Sequence, residues 1–354
     1  MRLCTIVGAR PQFVKAAVVS RALAEAGVVE ILVHTGQHYD ATLSQVFFDE
    51  MGIPPPAVNL EVGSGTHAVQ TGTMMIRLEA YLQGQRAPDG VVVYGDTNST
   101  LAGALVAAKL HLPLAHVEAG LRSFNRQMPE EINRIVADRL SDLLFCPTQT
   151  AVDNLRREGI VEGVHLTGDV MLDATRFFAD HAARHQPLDT LTTHPPQGYY
   201  LATVHRAENT DDPARLAGIF AGLGRLDAPV LVPLHPRTRD CLGDTVLPPN
   251  VERREPVSYL AMLTLVQNAR RVLTDSGGLQ KEAFWLGVPC ITLRDETEWV
   301  ETLDNGWNRL AHTPEAIVEA IRQAPGGPQQ PFGAPPEGTA SAGIAQALLQ
   351  ANRR

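Results

Sequence analysis

Charge of one sign is nowhere concentrated in this sequence. Charged residues make up 19% of the 354, the formal net charge is -9, and neither sign forms a long run. A nucleic-acid binder would carry a basic face, which is missing here, and the acidic balance also disfavours an anionic membrane as partner. A small anionic ligand stays open, because a few arginines and helix N-termini suffice to hold one. Long hydrophobic runs are missing too: no apolar stretch approaches the ~20 residues that span a bilayer. The opening MRLCTIVGARPQF stops being apolar at Gly8 with no cleavage site behind it, which reads as a first strand and not a signal peptide. Cysteine is scarce. Cys4, Cys146, Cys241 and Cys290 form no CxxC pair, and three of them sit in the apolar runs LCTIVG, LLFCP and PCITL, as reduced buried thiols do. Absent as well are the GxGxxG fingerprint of a dinucleotide site, the GxxxxGK[ST] phosphate loop and the HExxH metal spacing, and no repeat at a solenoid period is visible. These absences together predict a soluble cytoplasmic protein without a cofactor or metal.

What is present is a rhythm of short β-branched runs between longer amphipathic ones, the pattern of an α/β protein with parallel sheets. In the first half, strands are predicted at 3–8, 30–36, 90–96, 114–120 and 143–148, with helices between them, including one in the ATLSQVFFDEMG stretch. Near-continuous apolar strands of this kind suit a sheet covered on both faces. The pattern restarts with strands at 199–205, 229–235, 270–276 and 289–295 and helices around 213–226, 258–268, 279–287 and 314–323. Residues 183–198 and 324–338 are rich in Pro, Thr or Gly and read as loops, the second of them before a final helix. Two open parallel sheets provide two rows of strand carboxyl ends, where such folds bind ligands.

Most of the unusual polar residues fall at those ends. The first strand runs into GARPQ, where Gly8 allows a tight turn, Arg10 suits a phosphate and Pro11 can begin a helix; a surface arginine beside a turn is the equal alternative. YGDTNST places Asp96 just past VVVY, and AHVEAG places Glu118 at the end of the next strand. A carboxylate there is costly unless paired or used. Asp96 has a second explanation as a helix cap, whereas no helix clearly starts after Glu118. In MPEEINR, Glu130 and Glu131 open a helix, one of them complementing its dipole. Three acids from adjacent loops suit a reaction in which one group removes a proton and another returns it. In the second half, ATVHRAEN ends its strand on His205 and Arg206, and PLHPRT repeats the theme with His235 and Arg237, which favours an anion site. The sharpest element is LTDSGGLQKEAFWLG, where Asp275, Ser276, Gly277 and Gly278 lead straight into a helix. Glycines and free N–H groups there admit a phosphate, and Glu282, one turn on, is placed to accept hydrogen bonds from ribose hydroxyls.

With GARPQFVK, VYGDTNSTLAG, HVEAGLRSF, MPEEINR, LFCPT, GDVMLDA, HRAEN, PLHPRT and TDSGGLQKEA in this order, the chain closely resembles the non-hydrolysing UDP-N-acetylglucosamine 2-epimerase family, from about residue 2 to about residue 322. The resemblance implies a GT-B fold, two Rossmann-like domains with parallel sheets facing a central cleft, usually as a homodimer. Residues 1–170 plus 339–354 would form the domain of catalytic acids with a returning C-terminal helix, and 171–338 the UDP-binding domain. Carried over by motif, Asp96, Glu118 and Glu130 match the catalytic acids, with His205 beside them. Arg10, His205, Arg206, Ser276, Gly277, Gly278 and Glu282 would hold the UDP-sugar. The family uses neither NAD nor a metal. Its reaction eliminates UDP to a 2-acetamidoglucal and adds it back with protonation on the opposite face of C2.

Two departures bear on substrate and regulation. Where family members acting on UDP-N-acetylglucosamine carry TERPE, this chain has RDETEWVE, with Trp299 in place of the arginine. This signature is more similar to the branch acting on UDP-2,3-diacetamido-2,3-dideoxyglucuronate, whose carboxylate would need a cation such as Arg206, Arg122 or Arg294; alternatively Trp299 only packs and the sugar is N-acetylglucosamine. GQHYDATLSQ has Tyr39 where members activated by a second substrate molecule carry an arginine, so weak or absent activation is expected. The rival readings are a GT-B glycosyltransferase, a hydrolysing epimerase and a non-catalytic UDP-sugar sensor.

Overall fold

The computed structural model describes residues 1–37, 52–84, 86–329 and 332–352, with only the backbone of Arg10. The helix expected in ATLSQVFFDEMG and the Tyr39 segment lie outside the described residues. The chain divides into two compact units, Met1–Ala174 with Phe332–Arg354, and Thr175–Pro331.

In the first unit, seven strands form one parallel sheet: β1 (Arg2–Val7), β2 (Val29–His34), β3 (Val58–Asn59), β4 (Gly90–Tyr94), β5 (Leu114–Val117), β6 (Leu143–Cys146) and β7 (Val164–Leu166), in the order β3-β2-β1-β4-β5-β6-β7. Its helices are α1 (Arg10–Glu25), α2 (His67–Gln83), α3 (Asn98–Lys109), α4 (Pro129–Leu140), α5 (Gln149–Arg157) and α6 (Val170–His185), the last running across the boundary into the second unit. The second unit holds six parallel strands: β8 (Tyr200–Thr203), β9 (Val230–Pro233), β10 (Val251–Arg254), β11 (Arg271–Thr274), β12 (Cys290–Thr292) and β13 (Asn308–Leu310), in the order β10-β9-β8-β11-β12-β13. Its helices are α7 (Ala207–Thr210), α8 (Pro213–Leu223), α9 (Pro236–Leu242), α10 (Tyr259–Asn268), α11 (Gly277–Trp285) and α12 (Pro314–Arg322). The last helix, α13 (Ala340–Ala351), returns to the first unit and packs on α1, tied down by Ser341, whose N–H and hydroxyl both donate to Asp173 Oδ2 at 2.8 Å.

Both sheets wind the same way, outward from their first strand and then back across it, so the order reverses between β1 and β4 and between β8 and β11. At such a reversal the loops diverge and leave a crevice at the carboxyl ends. Continuous apolar strands serve this winding because helices cover both faces. Along β8 and its flank, Tyr200 and Ala202 enter one core cluster while Tyr199 and Leu201 enter the other. The edge strands β3, β7, β10 and β13 were not expected from sequence. They are two to four residues long, and sequences such as VERR lack an apolar signature because an edge strand is covered less completely. Cys4, Cys146 and Cys290 are buried and Cys241 is exposed, all four as free thiols. Among the described residues no helix is long and apolar enough to cross a membrane.

Candidate active site

In the first unit the site grows from the reversal between β1 and β4. Gly8 and Ala9 donate their N–H groups to Gln12 Oε1 at 2.8 and 3.0 Å, and Gln12 Nε2 donates to the carbonyl of Tyr94 at 2.8 Å. The buried glutamine thus fastens the turn after β1 to the end of β4. Beyond Tyr94, Gly95 turns with φ +61°. The next helix is capped by Thr97, whose hydroxyl accepts from Thr100 N–H at 3.4 Å. That leaves Asp96 uninvolved in capping. It instead receives Arg134 of α4, Nη2 at 2.6 Å and Nε at 3.0 Å, while Asn133 donates to its backbone carbonyl at 2.8 Å.

Glu118 sits past β5 in the left-handed region, φ +71°, an uncommon conformation for a residue with a side chain. The chain is forced out of the sheet there because the N–H groups of Glu118 and Ala119 share the carbonyl of Phe145, both at 3.1 Å. The Glu118 carboxylate pairs with the buried ammonium of Lys15. It also lies against Gly95, where a Cβ would stand 3.1 Å from Glu118 Oε2 and 3.2 Å from Lys15 Nζ. The two acids at the start of α4 part company. Glu131 is buried and accepts from Ser123 N–H, Ser123 Oγ, Phe124 N–H and Arg134 at 2.8–3.0 Å. Burial raises its carboxyl, but these donors together hold it below the usual carboxylate range. Glu130 is half-buried, with no hydrogen bond or ion pair among the described residues. Asp96, Glu118 and Glu130 therefore gather at the ends of β4 and β5 and the start of α4. The Arg10 side chain lies outside the description.

In the second unit the reversal between β8 and β11 centres on Asp275. Fully buried, it accepts from the N–H groups of His205 at 2.8 Å and Arg206 at 2.9 Å, from Asn209 Nδ2 at 3.0 Å, and pairs with His205 Nδ1 at 3.0 Å. Burial pushes this carboxyl up, and His205 with the backbone donors more than offsets it, so the group stays ionised. His205 is thereby fixed with Nδ1 toward the carboxylate and its ring about a third exposed. Ser276 caps α11, accepting from Leu279 N–H at 3.4 Å. The two glycines differ. A Cβ on Gly277 would lie 2.5 Å from Glu298 Oε1 and 3.3 Å from Trp299 Nε1, whereas on Gly278 the nearest atom is Ser276 Oγ at 3.9 Å. A Cβ on Gly277 would thus have to displace the Glu298 carboxylate, and Gly278 keeps the helix start open. Glu282 is buried within α11, its carboxyl pushed up by burial to about 7 beside the Tyr259 hydroxyl.

Other polar residues read from sequence are spoken for. The His235 Nδ1 accepts from Arg237 N–H at 3.2 Å and caps α9, while Arg237 pairs with Asp211 at 2.6 Å. Arg122 is consumed by Asp138 and Glu158, both at 2.7 Å, and the fully buried Arg294 by Glu298 at 2.9 Å and Glu208 at 3.1 Å. The Arg206 guanidinium pairs with Glu298 at 3.6 Å. Trp299 is buried, with the Lys281 ammonium 3.6 Å from its ring centroid. Sequence reasoning passed over Gln12, Lys15, Asn133, Arg134 and Glu298, and gave Asp275 no role of its own. Only the position of Arg134 one turn after Glu130 and Glu131 offered a signal. Among the described residues no group of His, Cys, Asp and Glu could hold a metal ion.

Two doubly wound parallel sheets, acids on the first and a capped Gly-Gly helix start with a carboxylate-backed histidine on the second, define a nucleotide-sugar enzyme of GT-B architecture. The fold is shared at a TM-score of 0.54 and 15% identity with the calicheamicin glycosyltransferase CalG4, over 99% of this chain and 93% of that one. The sequence profile of the family described as UDP-N-acetylglucosamine 2-epimerase matches residues 21–349. The chain is 51% identical to the UDP-2,3-diacetamido-2,3-dideoxy-D-glucuronate 2-epimerase of Pseudomonas aeruginosa, covering 92% of this chain and 93% of that protein. It superposes with a TM-score of 0.90 and 40% identity on the UDP-GlcNAc 2-epimerase of Methanocaldococcus jannaschii solved with UDP-GlcNAc and UDP, over 99% of this chain and 100% of that one. The chain belongs to the UDP-N-acetylglucosamine 2-epimerase family and is a UDP-sugar 2-epimerase, an isomerase.

Proposed function

We propose that the chain interconverts UDP-N-acetylglucosamine and UDP-N-acetylmannosamine by inverting C2. The C2 hydrogen has no carbonyl next to it and is not acidic enough for direct removal. Cleavage of the C1–O bond gives C1 oxocarbenium character and acidifies C2; the base takes the proton, UDP departs with the bonding pair, and 2-acetamidoglucal remains. Re-addition of UDP at C1 with a proton delivered to the opposite face of C2 completes the inversion. The observation that carries this reading is the convergence of Asp96, Glu118 and Glu130 in three different settings. Asp96 is paired with Arg134, Glu118 with Lys15, and Glu130 stands apart among the described residues. Two faces of protonation need at least two such groups. On the second unit His205, oriented by Asp275, joins Arg206 and the Ser276-Gly277-Gly278 helix start to stabilise the departing diphosphate, with Arg10 as a further phosphate ligand and Glu282 on the ribose. No cofactor or metal is required for these steps.

A second substrate is favoured by a specific observation. The relative at 51% identity is named for the diacetamido glucuronate, and of the three arginines considered for a uronate carboxylate only Arg206 keeps a loose partner. Product analysis by NMR with each UDP-sugar decides between them. Conversion of UDP-N-acetylglucosamine is the expected result, and turnover of the uronate alone, lost in Arg206→Gln, transfers the assignment to the second sugar. We further propose a cytoplasmic homodimer that supplies a UDP-activated sugar for polysaccharide synthesis. Val69 and Ile76, two turns apart and exposed on α2, offer an apolar face for a second copy; a monomeric mass by light scattering would remove that part.

A further inference from the structure

The catalytic reading leaves one buried titratable pair unused. His116, in the middle of β5, and Asp138, near the end of α4, are both completely buried. The His116 Nδ1 lies 2.7 Å from Asp138 Oδ1, and its Nε2 lies 2.7 Å from the carbonyl oxygen of Gly95. A carbonyl oxygen only accepts, so Nε2 must carry a hydrogen. The carboxylate already receives Gly120 N–H at 3.1 Å and Arg122 Nη1 at 2.7 Å on its other oxygen; when it is ionised it can only accept, and Nδ1 then also carries a hydrogen. A neutral imidazole has one N–H to give. The buried Arg122 guanidinium, 2.7 Å from the same carboxylate, favours its ionised form, which leaves the proton with the ring. The other charged or titratable groups near the pair are Glu158, on the far side of Arg122, and the Cys146 thiol of β6; beyond Gly95 stand Lys15 and Glu118.

We propose that His116 is a positioning residue, held as a buried imidazolium whose two N–H groups join Asp138 to the Gly95 carbonyl and so set the turn that presents Asp96. The inference rests on the assignment of Asp96 as a catalytic acid. Its logic is geometric. One carboxylate on α4 fixes both acid-bearing turns, that of Asp96 through His116 and that of Glu118 through Gly120 N–H. The same helix delivers Glu130, and its Arg134 and Asn133 hold Asp96 directly. Three acids from three segments are thereby referenced to one rigid element, which is what near-attack geometry requires, since a misplacement of about 1 Å can cost about 100-fold.

The test has two arms. In the unmodified ¹⁵N-histidine-labelled protein at pH 8, where an ordinary imidazole is neutral, both ring nitrogens of His116 are expected at protonated shifts with two attached hydrogens. A bare nitrogen overturns the proposal. In the kinetic arm, His116→Ala and His116→Asn are expected to lose about 100-fold in kcat with KM within about threefold. His116→Gln, whose amide can still donate to the Gly95 carbonyl, is expected to recover at least about tenfold of that loss. Asparagine performing as well as glutamine, or all three turning over like the parent, also overturns it. Should the variants fail to fold, the ring-nitrogen result stands as the decision. Absence of any C2 chemistry in the parent would defeat the epimerase assignment, whereas the state of the ring is read without turnover.

Discussion

Neighbouring carboxylates in this chain have opposite tasks. Glu130 and Glu131 are adjacent in MPEEINR and chemically identical, yet one is locked by four donors and the other has none among the described residues. Glu131→Gln places an amide N–H against the backbone N–H of Ser123 or of Phe124, neither of which can accept, and is expected to cost about 2–4 kcal/mol in urea unfolding. Glu130→Gln is expected to unfold within about 0.5 kcal/mol of the parent while kcat falls about 10²–10⁴-fold. The reverse pattern would exchange their roles. Glu282 gives a pH signature. Its carboxyl rises on folding from the ordinary 4.5 to about 7, so between those values the folded protein holds a proton that the unfolded chain has released. The stability associated with this group therefore falls as pH rises from 4.5 to 7, by on the order of 3 kcal/mol. Glu282→Gln is expected to flatten that slope; an unchanged slope would contradict the assignment. At this scale the acids were legible, because a carboxylate at the end of an apolar strand demands a reason. The groups that hold them were not: His116 within LAHV and Lys15 within FVKAA look like ordinary interior and surface residues until the fold sets them beside Gly95.

The start of α11 shows how one helix terminus divides its labour. Both glycines were read from sequence as room for a phosphate. Only Gly278 faces open space, and Gly277 is pressed on by Glu298, itself held by Arg294 at 2.9 Å and Arg206 at 3.6 Å. Gly277→Ala must displace a carboxylate tied to two arginines and is expected to destabilise by about 1–3 kcal/mol. Gly278→Ala is expected to leave the melting temperature equal or slightly raised, since alanine favours a helix, but to weaken UDP binding measured calorimetrically. Equal stability in both variants would show that the crowding at Gly277 relaxes cheaply. The elements themselves were legible where both faces are covered, as in VVVY and VLT, because continuous apolarity marks such strands. They were not legible at the sheet edges, nor in α9, whose capping residue His235 looks in sequence like an anion ligand and serves its own helix.

Across the molecule, the repeated winding of two sheets carries the functional argument. Each reversal of strand order leaves a place where loops part, and the sequence puts its costly residues there: acids at the first, a carboxylate-backed histidine and a Gly-Gly helix start at the second. A glycosyltransferase of the same architecture would need the second set but has no use for the first. The difference is visible at a single atom. In deuterium oxide, incubation of the pure protein with UDP-N-acetylglucosamine is expected to place deuterium on C2 of both the substrate and UDP-N-acetylmannosamine, in step with epimerisation, and Asp96→Asn is expected to reduce both together. Epimerised or transferred sugar that keeps its C2 hydrogen would contradict the account.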